Sequence, residues 1–375
     1  MVRNKGARFA SLVAVGVLAF GALAACGSDD SDGGGSDGGD GGNSETTGKV
    51  GVILPDTTTS PRWEANDRPS LQAAFDEAGI ESDIQNAGGD VAKFGEICDA
   101  MVAEVQVLMI VNLDSESGAA CLQKAADAGV QSIDYDRLTL GGGASYYVSF
   151  DNVAVGGLMG TGIIDCLDAA GKTKANIIYI NGDPTDNNAA LFKQGYEEAL
   201  ADKIDSGDYT LVGDQTGEWD ATKAGDAYEQ LYTQNNGKID GVVSANDTMA
   251  GGIIARMKDN GTAGTVPVTG QDASVEGLQN ILAGYQCGTV YKNTDLEAKA
   301  ASDLAIALIT GGDAESLVTG TVQDTETGED VPSSLATPVW ITADTVKDVV
   351  ADGFQSAADI CVDEYAKACT EYGVE

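Results

Sequence analysis

The residues of this chain that could do chemistry fall in short polar segments, each placed directly after an apolar run. These segments are 55–63, Asp136-Arg137, Asp151-Asn152, 181–188, Trp219-Asp220, Asn246-Asp247, Gln271-Asp272 and 291–293. Carboxylates, amides and cations are fixed acceptors and donors, which suit a ligand with many hydroxyl groups. An indole face suits the apolar face of a sugar ring. Brought together, these segments would therefore favour a monosaccharide.

Composition excludes several other kinds of chemistry. The 375 residues include no histidine, which removes Ser-His-Asp and Cys-His catalysis and most catalytic zinc sites. The formal net charge of -38 would repel nucleic acid. Gly171-Lys172-Thr173 resembles the end of a phosphate loop, but it follows a predicted helix rather than a strand. We predict neither a metal site nor a cofactor.

The elements that must position the polar segments alternate along the chain. Strands are predicted over 49–54, 82–85, 105–111, 131–134 and 146–150, and in a second series over 176–180, 209–212, 239–244, 266–269 and 288–291. Helices are predicted over 70–78, 91–104, 116–128, 153–169, 188–202, 221–234 and 248–259. Such alternation is typical of parallel sheets covered by helices. Because ligands of these sheets bind beyond the carboxyl ends of the strands, two α/β lobes sharing one cleft are expected.

The N-terminal segment has the layout of an export signal. Arg3, Lys5 and Arg8 precede an apolar, small-residue run over 9–25, which is short for a transmembrane anchor, the competing interpretation. The run ends in 23–27, Leu-Ala-Ala-Cys-Gly, which resembles a bacterial lipobox. We predict a lipoprotein signal peptide over 1–25 and a lipidated Cys26. Residues 26–48 are predicted to be a flexible acidic tether of Gly, Ser and Asp.

Six further cysteines follow Cys26, and an even number in an exported protein favours disulfides. Fifteen connectivities are possible in principle. The short separation of Cys361 and Cys369 ranks that pair first. Cys98 with Cys121 comes next, because their helices are expected to be neighbours, and Cys166 with Cys287 follows by elimination.

The chain from about residue 49 onward resembles the type I periplasmic sugar-binding proteins of ABC importers, and among them most the D-xylose-binding and multiple-sugar-binding proteins. The matching stretches are 61–63 (PRW), 135–138 (YDRL), 147–152 (YVSFDN), 184–189 (PTDNNA), 191–192 (LF), 212–215 (VGDQ), 244–247 (SAND), 270–273 (GQDA) and 289–292 (TVYK). The resemblance implies two doubly wound parallel-sheet lobes joined by a three-crossover hinge. The implied N-terminal lobe is 49–151 plus about 289–330, and the C-terminal lobe is 152–288 plus about 331–375.

The resemblance also implies which side chains contact the sugar. They are Arg62, Trp63, Asp136, Arg137, Asp186, Asn188, Trp219, Asn246, Asp272 and Lys292. Trp63 and Trp219 are implied to stack on opposite faces of the ring, and Lys292 to lie near the hinge. The loop 56–61 departs from the family pattern, so the choice between pentose and hexose stays open.

Structural interpretations of some of these residues remain open as well. Asp151-Asn152 and Asn187 could serve only to cap helices. Asp136-Arg137 could be a surface ion pair, Lys292 could extend to solvent, and Trp219 could belong to a core.

The function that these observations favour is a non-enzymatic, monomeric lipoprotein on the outer face of the cell membrane. It would bind a xylose-like aldose and deliver it to an ABC permease by hinge closure. One alternative is a sugar sensor that docks on a membrane signalling protein. A second is a glycosidase that uses two of Asp136, Asp186 and Asp272. A repressor effector domain is opposed by the export signal and by the lack of a basic DNA-binding segment.

Overall fold

The computed structural model of the protein describes residues 48–375. The predicted signal peptide, Cys26 and all but the last residue of the predicted tether lie outside the described residues. Within 48–375, no helix is both long enough and apolar enough to cross a membrane.

Twelve strands and twelve α-helices make up the described part of the chain. The strands are β1 (Lys49–Leu54), β2 (Glu81–Asn86), β3 (Val107–Ile110), β4 (Gln131–Tyr135), β5 (Tyr146–Phe150), β6 (Ala175–Asn181), β7 (Tyr209–Thr216), β8 (Gly241–Ser244), β9 (Thr289–Tyr291), β10 (Gly320–Gln323), β11 (Asp330–Ala336) and β12 (Val339–Ile341). The helices are α1 (Arg68–Ala78), α2 (Val91–Val102), α3 (Ser115–Ala128), α4 (Asn152–Ala169), α5 (Asn187–Asp205), α6 (Ala221–Gln234), α7 (Asp247–Asn260), α8 (Val275–Leu282), α9 (Thr294–Thr310), α10 (Val346–Ala351), α11 (Ala357–Ile360) and α12 (Ala366–Tyr372).

The N-terminal lobe is built on a seven-stranded sheet of order β10-β11-β5-β4-β3-β1-β2. All neighbouring strands are parallel except β10 and β11. Consecutive residues of β1 point to opposite faces, so Val52 packs in the core that includes α1 and α9, whereas Ile53 packs in the core that includes α2 and α3. Burial on both faces explains why β1 is an almost unbroken apolar run.

The C-terminal lobe has a parallel sheet of order β7-β6-β8, continued by single bridges to Val268 and from Gln271 to Val290. β9 and β12 form an antiparallel pair at its edge. Where a strand was predicted over 266–269, only the bridge at Val268 forms. The core of this lobe is continuous across α4 to α7.

The chain passes between the lobes three times, at 150–152, 291–294 and 336–339. The predicted fold of two α/β lobes joined by three crossovers is confirmed. Two predicted boundaries move. β9 pairs with β12 in the C-terminal lobe, whereas 289 was the expected start of a segment of the N-terminal lobe. β11 pairs with β5, so the N-terminal lobe extends to 336 rather than to 330. β9 and β11 each lie next to a crossover and pair with a strand that is distant in sequence. Local sequence patterns do not show such pairings, so they do not show which lobe each strand joins.

Three disulfides join the cysteines in the pairs that the sequence ranks: Cys98–Cys121, Cys166–Cys287 and Cys361–Cys369. Each pair lies within one lobe. The first joins α2 to α3, and the second ties α4 to the segment before β9. Since no pair among the described residues links the two lobes, the disulfides stiffen the lobes and leave the crossovers unconstrained.

Candidate functional site

The candidate site is a cavity between the lobes, with about 320 Å³ of space that protein atoms do not fill, part of it open to solvent. All ten predicted contact residues line it, and the four further lining residues are Thr59, Ser60, Phe192 and Gln271. Gln271 belongs to a polar segment singled out in the sequence. Phe192 was missed, although it lies one helical turn beyond Asn188 and so on the same face of α5.

The N-terminal lobe places Arg62 just before a single π-helical turn, Trp63–Asp67, that leads into α1. Asp136 follows β4 with a positive φ of 63°. In the C-terminal lobe Trp219 and Asp272 also have positive φ, 59° and 97°. Non-glycine residues rarely adopt this conformation, and when they do they concentrate at functional sites. Three of the ten predicted residues are thus held in uncommon backbone geometry.

Arg62 is the centre of a buried charge network within the N-terminal lobe. Its Nε and Nη2 donate to the two oxygens of Asp67 at 2.9 and 2.7 Å, and Nη1 donates to Asp136 at 2.7 Å. A further Nη2 bond of 2.6 Å reaches Glu297 near the start of α9. Tyr135 donates to Asp67 at 2.5 Å. Asp136 is only 3% exposed, so this is not the surface ion pair with Arg137 that the sequence left open.

Several polar contacts cross the cleft between the lobes. Ser60 donates to Asp272 at 2.9 Å, and the Asn246 amide donates to the Thr59 carbonyl at 3.1 Å. Others are the Asn188 amide with the Asp136 side chain at 3.1 Å, and Arg137 Nε with Asp186 at 2.8 Å. Each joins a residue of one lobe to a residue of the other, so the structure has the lobes closed over the cavity.

Lys292 lies at the second crossover, close to a carboxylate of each lobe. Its Nζ lies 3.5 Å from Asp136 and 3.7 Å from Asp272. The side chain is 3% exposed, which rules out the extension to solvent that was one interpretation of the sequence. A cation at this point links the carboxylates of the two lobes where the chain crosses between them.

Charge at the site is set by burial and by these cations. Burial alone would raise the pKa of Asp136, but Lys292, Arg62 and Arg137 together hold it below its ordinary value. For Asp186, burial raises the pKa and Arg137 opposes the rise. Asp136 is therefore a fixed anion that can only accept hydrogen bonds.

Two indoles form the apolar part of the lining. Trp63 is buried, with the Arg62 guanidinium 4.5 Å from the ring centroid, and its Nε1 donates to Thr59 at 3.2 Å. Trp219 meets Phe192 edge to face at 6.2 Å. It lies so close to Gly182 that a Cβ there would be 2.0 Å from the indole, so glycine is required at that position. Trp219 thus belongs both to the cavity lining and to the core.

Several polar atoms of the lining have no hydrogen-bond partner among residues 48–375, although they are buried. They include Trp219 Nε1, the side-chain oxygen of Gln271 and Asp272 Oδ1. Burying such atoms without partners costs free energy. One donor and two acceptors beside an indole are what a hydroxylated ring would satisfy.

The helix caps separate supporting residues from lining residues. Asp151 caps α4 by accepting from Ala154 N and does not line the cavity. Asn152 is buried and donates to Asn188 at 2.9 Å, so it supports a lining residue. Asp186, rather than Asn187, caps α5. Among the described residues no cluster of side chains has the makings of a metal site.

The closed cleft between two α/β lobes, with its polar and aromatic lining, defines a ligand-binding protein of the two-lobed kind. Residues 50–313 match the periplasmic binding protein domain family, and the chain belongs to that family, with the type I fold. It is 32% identical to the D-xylose-binding periplasmic protein of Escherichia coli, over 83% of this chain and 92% of that one. It is 35% identical to a multiple sugar-binding periplasmic protein of Azospirillum brasilense, over 81% and 88%.

A solved structure agrees with this placement. The carbohydrate transporter solute-binding protein of Chloroflexus aurantiacus, in complex with D-glucose, superposes with a TM-score of 0.76 at 29% identity. The match covers 84% of this chain and 98% of that one. The likeness therefore extends over both lobes and includes the cleft between them.

Proposed function

We propose that this protein is an extracytoplasmic receptor that captures a neutral, xylose-like monosaccharide and delivers it to an ABC permease. The observation that carries the proposal is the cavity itself: two indoles, fixed carboxylates and unpartnered polar atoms meet in a space of about 320 Å³. D-xylose and D-glucose, the sugars for which the two relatives are named or with which they were solved, belong to the same class of ligand.

The mechanism is hinge closure. Contacts such as Ser60 with Asp272 and Asn246 with Thr59 form only when the lobes meet, and a sugar between them adds bonds to both walls. A ligand that binds the closed form better shifts the population toward it. The permease then recognises the closed form of the protein. A lipid on Cys26 would hold the monomeric receptor at the outer face of the membrane.

An enzymatic role is less well supported. Asp136, Asp186 and Asp272 each lie within 4 Å of a cation, at 2.7, 2.8 and 3.7 Å. For Asp136 the neighbouring cations hold the pKa below its ordinary value, which suits a fixed acceptor rather than a proton-donating acid. The relatives described above are named as binding proteins.

The test is intrinsic Trp fluorescence and thermal shift of the purified protein, titrated with xylose, glucose, galactose, arabinose and ribose. We expect a saturable change with one or two of these sugars and no product by chromatography. Silence with all five would contradict the proposal for simple aldoses. Hydrolysis of an aryl glycoside would replace it with the enzymatic alternative.

The anchor and the role in transport need separate tests. Cys26→Ser should move the protein from the membrane fraction to the soluble fraction, and unchanged retention would contradict lipidation. Uptake of the labelled sugar by cells lacking the gene separates transport from sensing, since a pure sensor would leave uptake through its cognate permease intact.

A further inference from the structure

Most of the N–H bonds of the Arg62 guanidinium are used by carboxylates, and two of these carboxylates do not line the cavity. Arginine has five N–H bonds. Three of those of Arg62 donate to Asp67 and Glu297, and a fourth donates to Asp136. Within residues 48–375 the fifth, on Nη1, has no acceptor. Since Arg62 lines the cavity, this bond is the one available to a ligand.

Glu297 is a costly residue to place where it is. It is fully buried, and its Oε1 has no hydrogen-bond partner among the described residues. Burial raises the pKa of Glu297 to about 8 although Arg62 opposes the rise, so this position disfavours the charged carboxylate. Apolar replacements of buried ion pairs are often neutral or stabilising. Its position in the first turn of α9 favours a negative charge only weakly. Stability alone therefore does not account for it.

We propose that Glu297, together with Asp67, is a positioning residue that fixes the Arg62 guanidinium so that one Nη1–H is presented to one hydroxyl of the bound sugar. The inference rests on the proposed function and adds a residue to it. Glu297 itself does not line the cavity. It acts through Arg62, and it lies five residues beyond Lys292, so the second crossover and the Arg62 wall are held together.

The consequence for specificity is a single, directed donor. A guanidinium free to rotate could donate through any edge and tolerate a shifted hydroxyl. Held on three of its N–H bonds, Arg62 can serve a hydroxyl at only one point of the ring. A site built to bond one hydroxyl rejects the analogue that lacks it, because a buried polar group is then left unpaired.

The test compares the wild-type protein with Glu297→Gln, Asp67→Asn and the control Asp303→Asn. Asp303 is a surface carboxylate on the same helix, paired with Lys299 at 2.8 Å. Calorimetry would measure the affinity of each protein for the sugar identified in the fluorescence titrations, and for each monodeoxy analogue of that sugar. We expect Glu297→Gln to weaken binding of the parent sugar about tenfold. The ratio of the dissociation constants of one analogue and the parent sugar should fall by the same factor. The corresponding ratios for the other analogues should stay constant.

Arg62→Lys identifies the hydroxyl concerned, because it should lose discrimination against the same analogue. In the double variant the two losses should not add. A uniform loss across all analogues, or additive losses, would show that Glu297 acts only on the structure as a whole and would overturn the proposal. Asp303→Asn should match the wild type throughout.

A second measurement needs no sugar. In the wild-type protein the NMR signal of the Arg62 Nε–H should exchange slowly with water, because that bond is buried on Asp67. Glu297→Gln should speed the exchange at least several-fold while the melting temperature stays close to wild type. Unchanged exchange would overturn the proposal. If the wild-type protein bound no sugar but Glu297→Gln still made the exchange faster, the proposed function would fail while the role of Glu297 in fixing Arg62 would stand.

Discussion

The two walls of the cleft are built differently. In the N-terminal lobe, Arg62 is bonded to Asp67, Asp136 and Glu297, all of the same lobe. In the C-terminal lobe, several polar groups of the lining bond across the cleft or are left without a partner: Asn246 donates to Thr59, and Trp219 Nε1 has no partner in the described chain. The N-terminal wall therefore has its central cation paired within its own lobe, whereas the C-terminal wall depends more on closure and on a ligand.

This difference assigns the walls different parts in binding. A wall whose central cation is paired within its own lobe keeps that cation in place when the cleft opens, so Arg62 can receive a ligand with little reorganisation. A wall with unpartnered atoms gains most from the ligand, since each new bond satisfies a buried group. The N-terminal wall is thus suited to first contact, and the C-terminal wall to driving closure.

The largest effect that would test the comparison is expected from Arg62→Ala. The substitution leaves Asp67 and Glu297 buried without their cation, and breaking such a pair costs about 3–5 kcal/mol. We expect that loss in the free energy of unfolding by urea, measured without sugar. Arg256→Ala is the matched control, because Arg256 is 41% exposed and pairs with Asp226 at the surface. A loss below about 1 kcal/mol for Arg62→Ala, as expected for the control, would mean that the N-terminal wall is not self-contained.

A smaller effect, on affinity rather than stability, is expected from Asp272→Asn. Asparagine tolerates the positive φ of 97° but removes the charge that faces Lys292 and Ser60. Losing one charge-assisted contact corresponds to about 2 kcal/mol, or roughly 30-fold in the dissociation constant for the sugar. The melting temperature without sugar should change little.

Asp259→Asn controls for the general loss of negative charge, because Asp259 is an exposed residue of α7. If Asp272→Asn instead lowered the melting temperature of the sugar-free protein as strongly as Arg62→Ala, the contrast between the walls would be lost.

Sequence reasoning found the lining because post-strand polar segments and a family resemblance point to the same places. The ten residues meet in one cavity because the carboxyl ends of parallel strands share an edge of each sheet. The same reasoning included Thr59 and Ser60 only within the polar segment 55–63 and did not name them as contacts. It did not reach Phe192, which a helical pattern assigns to a core as readily as to a site.

The buried support of the site was out of reach for a different reason. Glu297 and Arg62 are 235 residues apart in the chain, and no local pattern records such a pairing. No helix was predicted over 294–310, so a carboxylate there gave no sign of facing inward. The same gap explains the shifted lobe boundaries, since β11 and β12 straddle the third crossover and each pairs with a strand far away in sequence.

The smallest expected effect concerns a feature in which the lobes are alike. Each holds a buried carboxyl behind its wall: Asp134 accepts from Thr139 N at 2.7 Å, and Asp247 accepts from Ser274 N at 2.9 Å, beside the loop that carries Asp272. Burial raises the pKa of each to about 7, against the hydrogen bonds that would lower it. The folded protein therefore holds protons that the unfolded chain has already lost above about pH 5.

Stability from these two groups is present at low pH and is lost as the pH rises through 7, by about 1.4 kcal/mol per group between pH 6 and 8. Urea unfolding at both pH values should show that Asp134→Asn and Asp247→Asn each remove one such share of the dependence. Because the two carboxyls lie in separate lobes, the double variant should remove both shares additively. An unchanged slope in either variant would mean that its carboxyl is ionised throughout this range. In that case the two lobes would differ in their buried supports as well as in their walls.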